Sequence, residues 1–288
     1  MIVERHGGEL GRVTETPATA TVEEDLSAIL EGRPREHRGR YEREAELARG
    51  TYLYRDASGE RGTEQWTLYE TKGGGRLVHS RIATGDLTTE VFYGTEASGK
   101  LDFAEITKRQ GEGVMRARFW LDGEKLTGRL RGKESGILQQ DIVVPGGFAF
   151  ASPAVAASGW MGTAARSASF SDLVCYVVPG SFDSPLGTTC VVTYRVAGEE
   201  SVRVPAGEFK ATRLARQSPT EASDWWLHPG LGIPIRGQVV GGLEYVLATL
   251  EVSPPAPREM GPTASLGSRR RDEDPMDPSG SFFTVHGR

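Results

Sequence analysis

The feature that most constrains this chain is an alternation of apolar and polar residues with a period of two, which runs from residue 49 to residue 143. Runs such as "TEQWTLYETK", "RLVHSRIAT" and "VMRARFWLDG" are separated by short breaks such as "KGGG", "TGD" and "DGE". Short alternating runs joined by Gly- and Asp-containing turns are typical of antiparallel hairpins. Glycines interrupt every window that would be long enough for an amphipathic helix, so this region is predicted to be a β-meander.

The middle of the chain differs, because "FAFASPAVAASGWMGTAARSA" is small, apolar and rich in alanine. Ser152 followed by Pro153 is a good helix start, and Gly159 or Gly162 is a possible end, so one short internal helix or lid is expected here. Strand-like runs resume after it and bring the total to about fifteen, a number that rarely stays a flat open sheet. The predicted fold is mainly β, an antiparallel meander that forms a curved sheet or a half-barrel with one internal helix.

Both ends of the chain have a different composition. Residues 1–48 are charged and are expected to form a lead that is partly helical or disordered. Residues 253–288 are rich in Pro, Ser, Gly and alternating charge, so they are expected to be a disordered tail. The predicted organisation is therefore one β-domain at 49–252 between two peripheral segments.

Charge and missing motifs exclude several classes of function. The net charge is −5 and the pI about 5.7, which disfavours a nucleic-acid surface and a basic membrane-surface helix. No apolar stretch is long enough to predict a membrane span, and no secretory signal is seen, so a cytoplasmic location is expected, with export left open if the start is truncated. The sequence holds no GxGxxG after a strand, no P-loop, no HExxH and no CxxC, so neither a cofactor nor a metal is expected.

The two cysteines flank a turn-rich stretch between two strand-like runs. If that hairpin closes symmetrically about Phe182 and Asp183, Cys175 and Cys190 stand opposite each other and a cross-strand disulfide is geometrically possible. The favoured alternative is two free thiols in a reducing compartment.

Several strands are predicted to carry a face that mixes aromatic residues with charged or amide groups, because residues two apart share a face. A concave wall around a ligand would use both kinds of side chain, whereas packing of arginine stems on tryptophan rings is the structural alternative. The candidate ligand-binding residues are Trp66, Arg118, Trp120, Gln139, Trp160, Trp226 and Arg236. The same-face set Asp224, Trp226 and His228, with Arg236 returning after a glycine corner, is the sharpest of these groups.

Three functions are compatible with such a cavity. The first is binding of an apolar or aromatic small molecule. The second is a cofactor-independent lyase, isomerase or cyclase that uses a histidine as acid or base, a carboxylate to orient it and an arginine to hold an oxyanion. Its candidate catalytic residues are His228, His79, Asp224, Asp141 and Glu64. The third is a structural or interaction protein that docks through its charged ends, and the sequence does not fix the oligomeric state.

Two stretches near the end of the β-region resemble a known kind of protein. They are Val204–Phe209, with the pattern VPAGxF, and Trp226–Arg236, with the pattern WLxPxxGxPxR. They are similar to a family of bacterial β-proteins, a domain of unknown function, related in shape to lipocalin-like and lipoprotein-carrier half-barrels. The resemblance covers about the last sixty residues of the β-region and implies a curved antiparallel sheet or an open barrel, but no activity. Members are usually exported, and in that respect this chain departs from the family.

Overall fold

The computed structural model describes residues 43–254, apart from 133–135, 147, 166–169 and 183–185. Most of the predicted lead and all but the first two residues of the predicted tail lie outside the described residues, although the first strand already begins at Arg43, inside the predicted lead. The described residues contain one helix and fifteen strands. The helix is α1 (Val155–Ala165). The strands are β1 (Arg43–Asp56), β2 (Gly59–Thr71), β3 (Arg76–Thr84), β4 (Leu87–Thr95), β5 (Leu101–Gln110), β6 (Gly113–Asp122), β7 (Lys125–Gly132), β8 (Gly136–Val143), β9 (Ala149–Ala151), β10 (Phe170–Val177), β11 (Thr188–Val204), β12 (Gly207–Gln217), β13 (Ala222–Leu227), β14 (Pro234–Val239) and β15 (Glu244–Val252).

All fifteen strands belong to one sheet, in the order β8-β7-β6-β5-β4-β3-β2-β1-β15-β14-β13-β12-β11-β10-β9. Among the described residues, each strand pairs with its neighbours in sequence except that β8 and β9 are not paired, β1 pairs with β15, and only the β9–β10 pair is parallel. The predicted mainly β fold and its antiparallel meander are confirmed. The sheet is curved and is not closed into a barrel, because its end strands β8 and β9 are not paired with each other.

The two faces of the sheet differ in burial across the middle of strands β2 to β6. Trp66, Ser80, Val91, Ile106 and Ala117 lie directly opposite one another across β2 to β6, and all are buried. This is the concave face. The neighbouring row on the opposite, convex face is polar, and all its residues are exposed or partly exposed: Gln65, Arg81, Glu90, Thr107 and Arg116. The buried residues form two apolar clusters, a large one and a smaller one around Cys175, Val192 and Leu214. Alternation along each strand is what gives one face of this row its apolar character.

The curvature brings one end of the sheet against the concave face of the other. Phe150 on β9 and Tyr176 on β10 pack on Phe119 of β6, with ring centroids 5.1 Å and 5.6 Å away. The Tyr176 hydroxyl donates to Gln140 Oε1 at 2.8 Å, and Lys108 Nζ donates to the carbonyl oxygen of Pro179 at 2.6 Å. These contacts link the two ends through side chains rather than through a strand ladder.

The helix confirms the predicted internal helix but differs from the prediction at both ends. It begins at Val155, since Ser152 Oγ accepts the N–H of Ala154 in the preceding turn and Glu64 accepts the first helical N–H groups. It also runs past Gly159, which was predicted as a possible end. A Cβ at that position would stand 1.8 Å from the carbonyl oxygen of Gly232, so the glycine permits close helix packing and does not end the helix.

Two strand boundaries also differ from the predicted runs. The runs "TTCVVTYRVAG" and "EESVRVPAG" form one strand, β11, which passes through an irregularity between Val196 and Gly198. A positive φ of 117° at Gly198 allows the chain to continue in the sheet there, so this glycine marks a bulge and not a turn. The short β9 lies at the start of the alanine-rich stretch and was not predicted. Within the described residues, no helix has the length and apolar character needed to cross a membrane.

Candidate functional site

An open cleft of about 980 Å³ lies on the concave face, beside the start of α1. Both halves of the curved sheet contribute to it. Its apolar lining includes Ile82 and Leu87 from one half and Val177 and Trp225 from the other. The N-terminal turn of α1 supplies Val155 and Ser158. The cleft is the place where the curvature of the sheet leaves the interior open.

An aromatic wall forms one side of the cleft. Trp225 and Tyr245 stack with ring centroids 5.7 Å apart and an interplanar angle of 16°. Tyr54 meets Tyr245 edge to face at 4.8 Å. Gly237 stands between the two stacked residues in the strand register, and a Cβ there would lie 2.9 Å from the Trp225 ring. Glycine at this position therefore makes the stack possible.

The polar groups of the cleft are mostly paired. Arg216 Nη1 donates to Glu221 Oε1 at 2.6 Å, and the arginine side chain is only 11% exposed. Burial raises the pKa of Tyr245 to about 12, so its hydroxyl is neutral at physiological pH. Ser152 and Ser158 lie where the helix begins. The site thus offers apolar rings with a charge-balanced polar end.

Beneath this cleft, Glu64 is a fully buried carboxylate that accepts four hydrogen bonds. Its donors are the Tyr54 hydroxyl at 2.6 Å, the Ser80 hydroxyl, and the N–H groups of Val155 and Ala156 at 2.8 and 3.1 Å. Burial raises the pKa of Glu64, and these hydrogen bonds oppose that shift. The carboxylate caps the N-terminus of α1 and so fixes the helix to β2 and β3.

Among the other residues predicted from sequence, His79, Arg118 and Trp120 lie on the convex face, away from Glu64 and Trp66. His79 Nε2 lies 3.0 Å from Glu90 Oε1, and its ring stacks on Phe92 with centroids 4.2 Å apart. Arg118 pairs with Glu105 at 3.0 Å although it is almost fully buried.

The predicted site residues on β8 and on α1 lie in two other parts of the structure. Asp141 on β8 forms an ion pair with Lys125 at 2.8 Å, and Gln139 donates to it at 3.4 Å. Trp160 of α1 packs on Tyr93, with ring centroids 5.3 Å apart.

The structure brings Asp224, Trp226 and Arg236 together, as predicted. Their side chains are arranged around the tryptophan ring itself and not around a cavity for a ligand. The guanidinium groups of Arg213 and Arg236 lie 5.4 Å and 5.2 Å from the centroid of Trp226. Asp224 pairs with Arg213 at 2.9 Å. Arg236 pairs with Glu244 at 2.6 Å. The tryptophan is buried, so this cluster corresponds to the structural alternative of arginine stacking on an aromatic ring.

His228 lies in the turn after β13. Its Nδ1 accepts the N–H groups of Gly230 and Leu231, both at 3.2 Å, so the ring caps its own turn. Among the described residues, neither His79 nor His228 lines the cleft. No group of three or more His, Cys, Asp or Glu in the described part of the chain is placed to hold a metal ion.

None of the residues that line the cleft was predicted from the sequence. For one of them, Trp225, the alternation along its strand did contain the necessary information. Trp225 lies on the opposite face from Trp226, and this is the concave face. Tyr54, Arg216 and Tyr245 come from strands that are distant in sequence and meet only through the pairing of β1 with β15 and through β12 to β14. No local pattern could have joined them.

Cys175 and Cys190 stand directly opposite each other in the β10–β11 hairpin, as the symmetric closure predicted. Both are free thiols. Burial raises the pKa of the Cys175 thiol to about 12, which keeps it protonated and unreactive near neutral pH.

The chain matches no protein-family model, and its sequence is not significantly similar to that of any curated protein. The family resemblance of Val204–Phe209 and Trp226–Arg236 therefore stays a prediction.

Proposed function

We propose that this protein binds an apolar or aromatic small molecule in the cleft between the two halves of its curved sheet. The observation that carries the proposal is the cleft of about 980 Å³ whose wall is the Trp225–Tyr245 stack. Small-molecule sites are concave, mostly apolar, and hold a few polar groups that orient the ligand. The cleft matches each of these requirements.

The polar groups indicate what the ligand carries. Because Arg216 is already paired with Glu221, a ligand with a full charge would have to break or desolvate that pair. The neutral hydroxyls of Tyr245 and of the serines at the helix start suit a neutral hydrogen-bonding group. An uncharged molecule with an aromatic or aliphatic body is the ligand that this lining favours.

Catalysis by a histidine gains no support from this geometry. His79 pairs with Glu90 on the convex face, and His228 Nδ1 is occupied by its own turn. Binding is therefore the function that we propose.

The test uses a fluorescent probe, the neutral dye N-phenyl-1-naphthylamine, titrated into the folded protein. We expect dye emission to rise on binding and energy transfer from tryptophan to appear. Trp225→Leu should weaken dye binding about tenfold, because the stacking surface of one aromatic ring is lost.

The matched control is Trp120→Leu, since Trp120 lies on the convex face and does not line the cleft. This variant should bind the dye as the wild type does. A wild-type protein that leaves the dye unbound, or equal losses in both variants, would contradict the proposal. Native mass spectrometry of the purified protein gives an independent check, since a ligand that co-purifies would appear as an added mass.

A further inference from the structure

Among the described residues, strand β8 ends the sheet and pairs with β7 alone. Three of its side chains are large, apolar and exposed: Ile137 is 62% exposed, Leu138 41% and Val143 81%. Edge strands are usually protected by proline, by lysine or by a bulge, because their free N–H and C=O groups can pair with another chain. From Gly136 to Val143 this strand has no proline and no basic residue, and its pairing with β7 shows no irregularity.

The opposite end of the sheet does not offer an open edge for pairing with another chain. There the terminal strand β9 has three residues, all of them buried, and β9–β10 packs against the concave face. A chain that joined another copy through β8 would therefore have no second open edge for further growth. The expected assembly is closed.

We propose that two copies of this chain form a dimer by antiparallel pairing of β8 with β8. The sequence "GILQQDIV" is complementary to itself in one register, in which the two copies of Gln140 face each other across a twofold axis. Ile137 then stands opposite Val143 of the partner subunit, and Leu138 stands opposite Ile142 of the partner subunit. Antiparallel pairing of identical strands generates this symmetry, and the same patch serves both subunits.

The single charge on the strand also fits this register. Asp141 faces Gln139 of the partner subunit, so no carboxylate meets a carboxylate, and the amide can donate to it. Asp141 keeps its ion pair with Lys125 of β7 on the side away from the partner. The most exposed apolar side chains are buried in two symmetric pairs on the convex face, at the two ends of the shared ladder.

The experiment is sedimentation velocity on the full chain over a range of concentrations. Because one pair of strands is a small interface, we expect a reversible dimer with a dissociation constant on the order of micromolar. The double variant Ile137→Lys with Val143→Lys places like charges opposite each other twice and should be monomeric at all concentrations. Ile137→Glu with Val143→Glu should also be monomeric.

Mixing the two charged variants tests the register itself. Each lysine would face a glutamate of the other chain, so the equimolar mixture should form a heterodimer while neither variant alone dimerises. The control is Val240→Lys with Val252→Lys, two exposed valines away from β8, which should leave the dimer intact.

Three results would overturn the proposal. They are a wild-type chain that stays monomeric at the highest concentration reached, a lysine variant that still dimerises, and a control that dissociates as much as the lysine variant does. A mixture that stays monomeric would overturn the register. Hydrogen–deuterium exchange gives a second readout, because half of the β8 amides should exchange more slowly in the dimer than in the monomeric variants.

Discussion

The two faces of the sheet use the same side-chain chemistry in opposite ways, and strand β3 shows both. On the concave side Ser80 donates to Glu64, a carboxylate buried under the helix. On the convex side the preceding residue, His79, pairs with Glu90, a carboxylate that keeps about a third of its side chain exposed. The buried carboxylate fixes the helix, whereas the exposed pair lies in water and holds two strands together only weakly.

The largest expected effect comes from removing the buried carboxylate. Glu64→Ala leaves two hydroxyls and two helix N–H groups without their acceptor and opens a cavity, so we expect the free energy of unfolding to fall by about 4 kcal/mol. Urea denaturation followed by tryptophan fluorescence measures it.

Glu90→Ala is the matched control for this comparison. The same substitution on the convex face removes only the partly exposed contacts of Glu90 with His79 and Arg109, so the loss should stay below about 1 kcal/mol. Equal losses in the two variants would show that the helix cap contributes nothing beyond an ordinary surface contact.

The next largest expected effect is the pH dependence of stability that Glu64 causes. Burial raises the folded-state pKa of Glu64 above its usual value of 4.5. Below pH 4.5 the carboxyl is protonated in both states. As the pH rises further, the unfolded chain gives up this proton more readily than the folded chain does, so folding loses stability until the folded pKa is passed.

We therefore expect the wild type to lose stability relative to Glu64→Gln as the pH rises from about 4.5, since the amide does not titrate. Urea midpoints measured at intervals between pH 4 and pH 8 give this difference. A slope of the opposite sign would mean that the four hydrogen bonds outweigh burial and hold the pKa of Glu64 below its usual value.

The same comparison explains which features of the structure could be predicted from the sequence. Alternation is enough to place Glu64 and Trp66 on one face of β2 and His79 and Arg81 on one face of β3, because the pleat alone decides this. It could not decide which of these faces is concave, since that depends on how fifteen strands curve together. The histidine was therefore grouped with the buried carboxylate although they lie on opposite sides.

Contacts between residues that are distant in sequence are the second feature that could not be predicted. The role of Glu64 depends on N–H groups of Val155 and Ala156, about ninety residues away in the chain. The cleft likewise depends on Trp225 and Tyr245, which meet across β14 only because Gly237 lacks a side chain. Strand positions follow from local pattern, but these contacts follow from topology.

The smallest expected effect concerns the convex cluster around Trp226. Arg236→Met keeps an apolar stem but removes one of the two cations beside the ring, so we expect a loss of about 0.5–1 kcal/mol of stability. A double-mutant cycle with Trp226→Leu isolates the coupling between the two side chains from the separate Arg236–Glu244 ion pair. The control is Arg203→Met, because Arg203 is 84% exposed and has a similar ion pair, with Glu208, at 3.2 Å. That variant should unfold at the wild-type urea midpoint. If the cycle gives no coupling, the two guanidiniums only cover the tryptophan and add no attraction of their own.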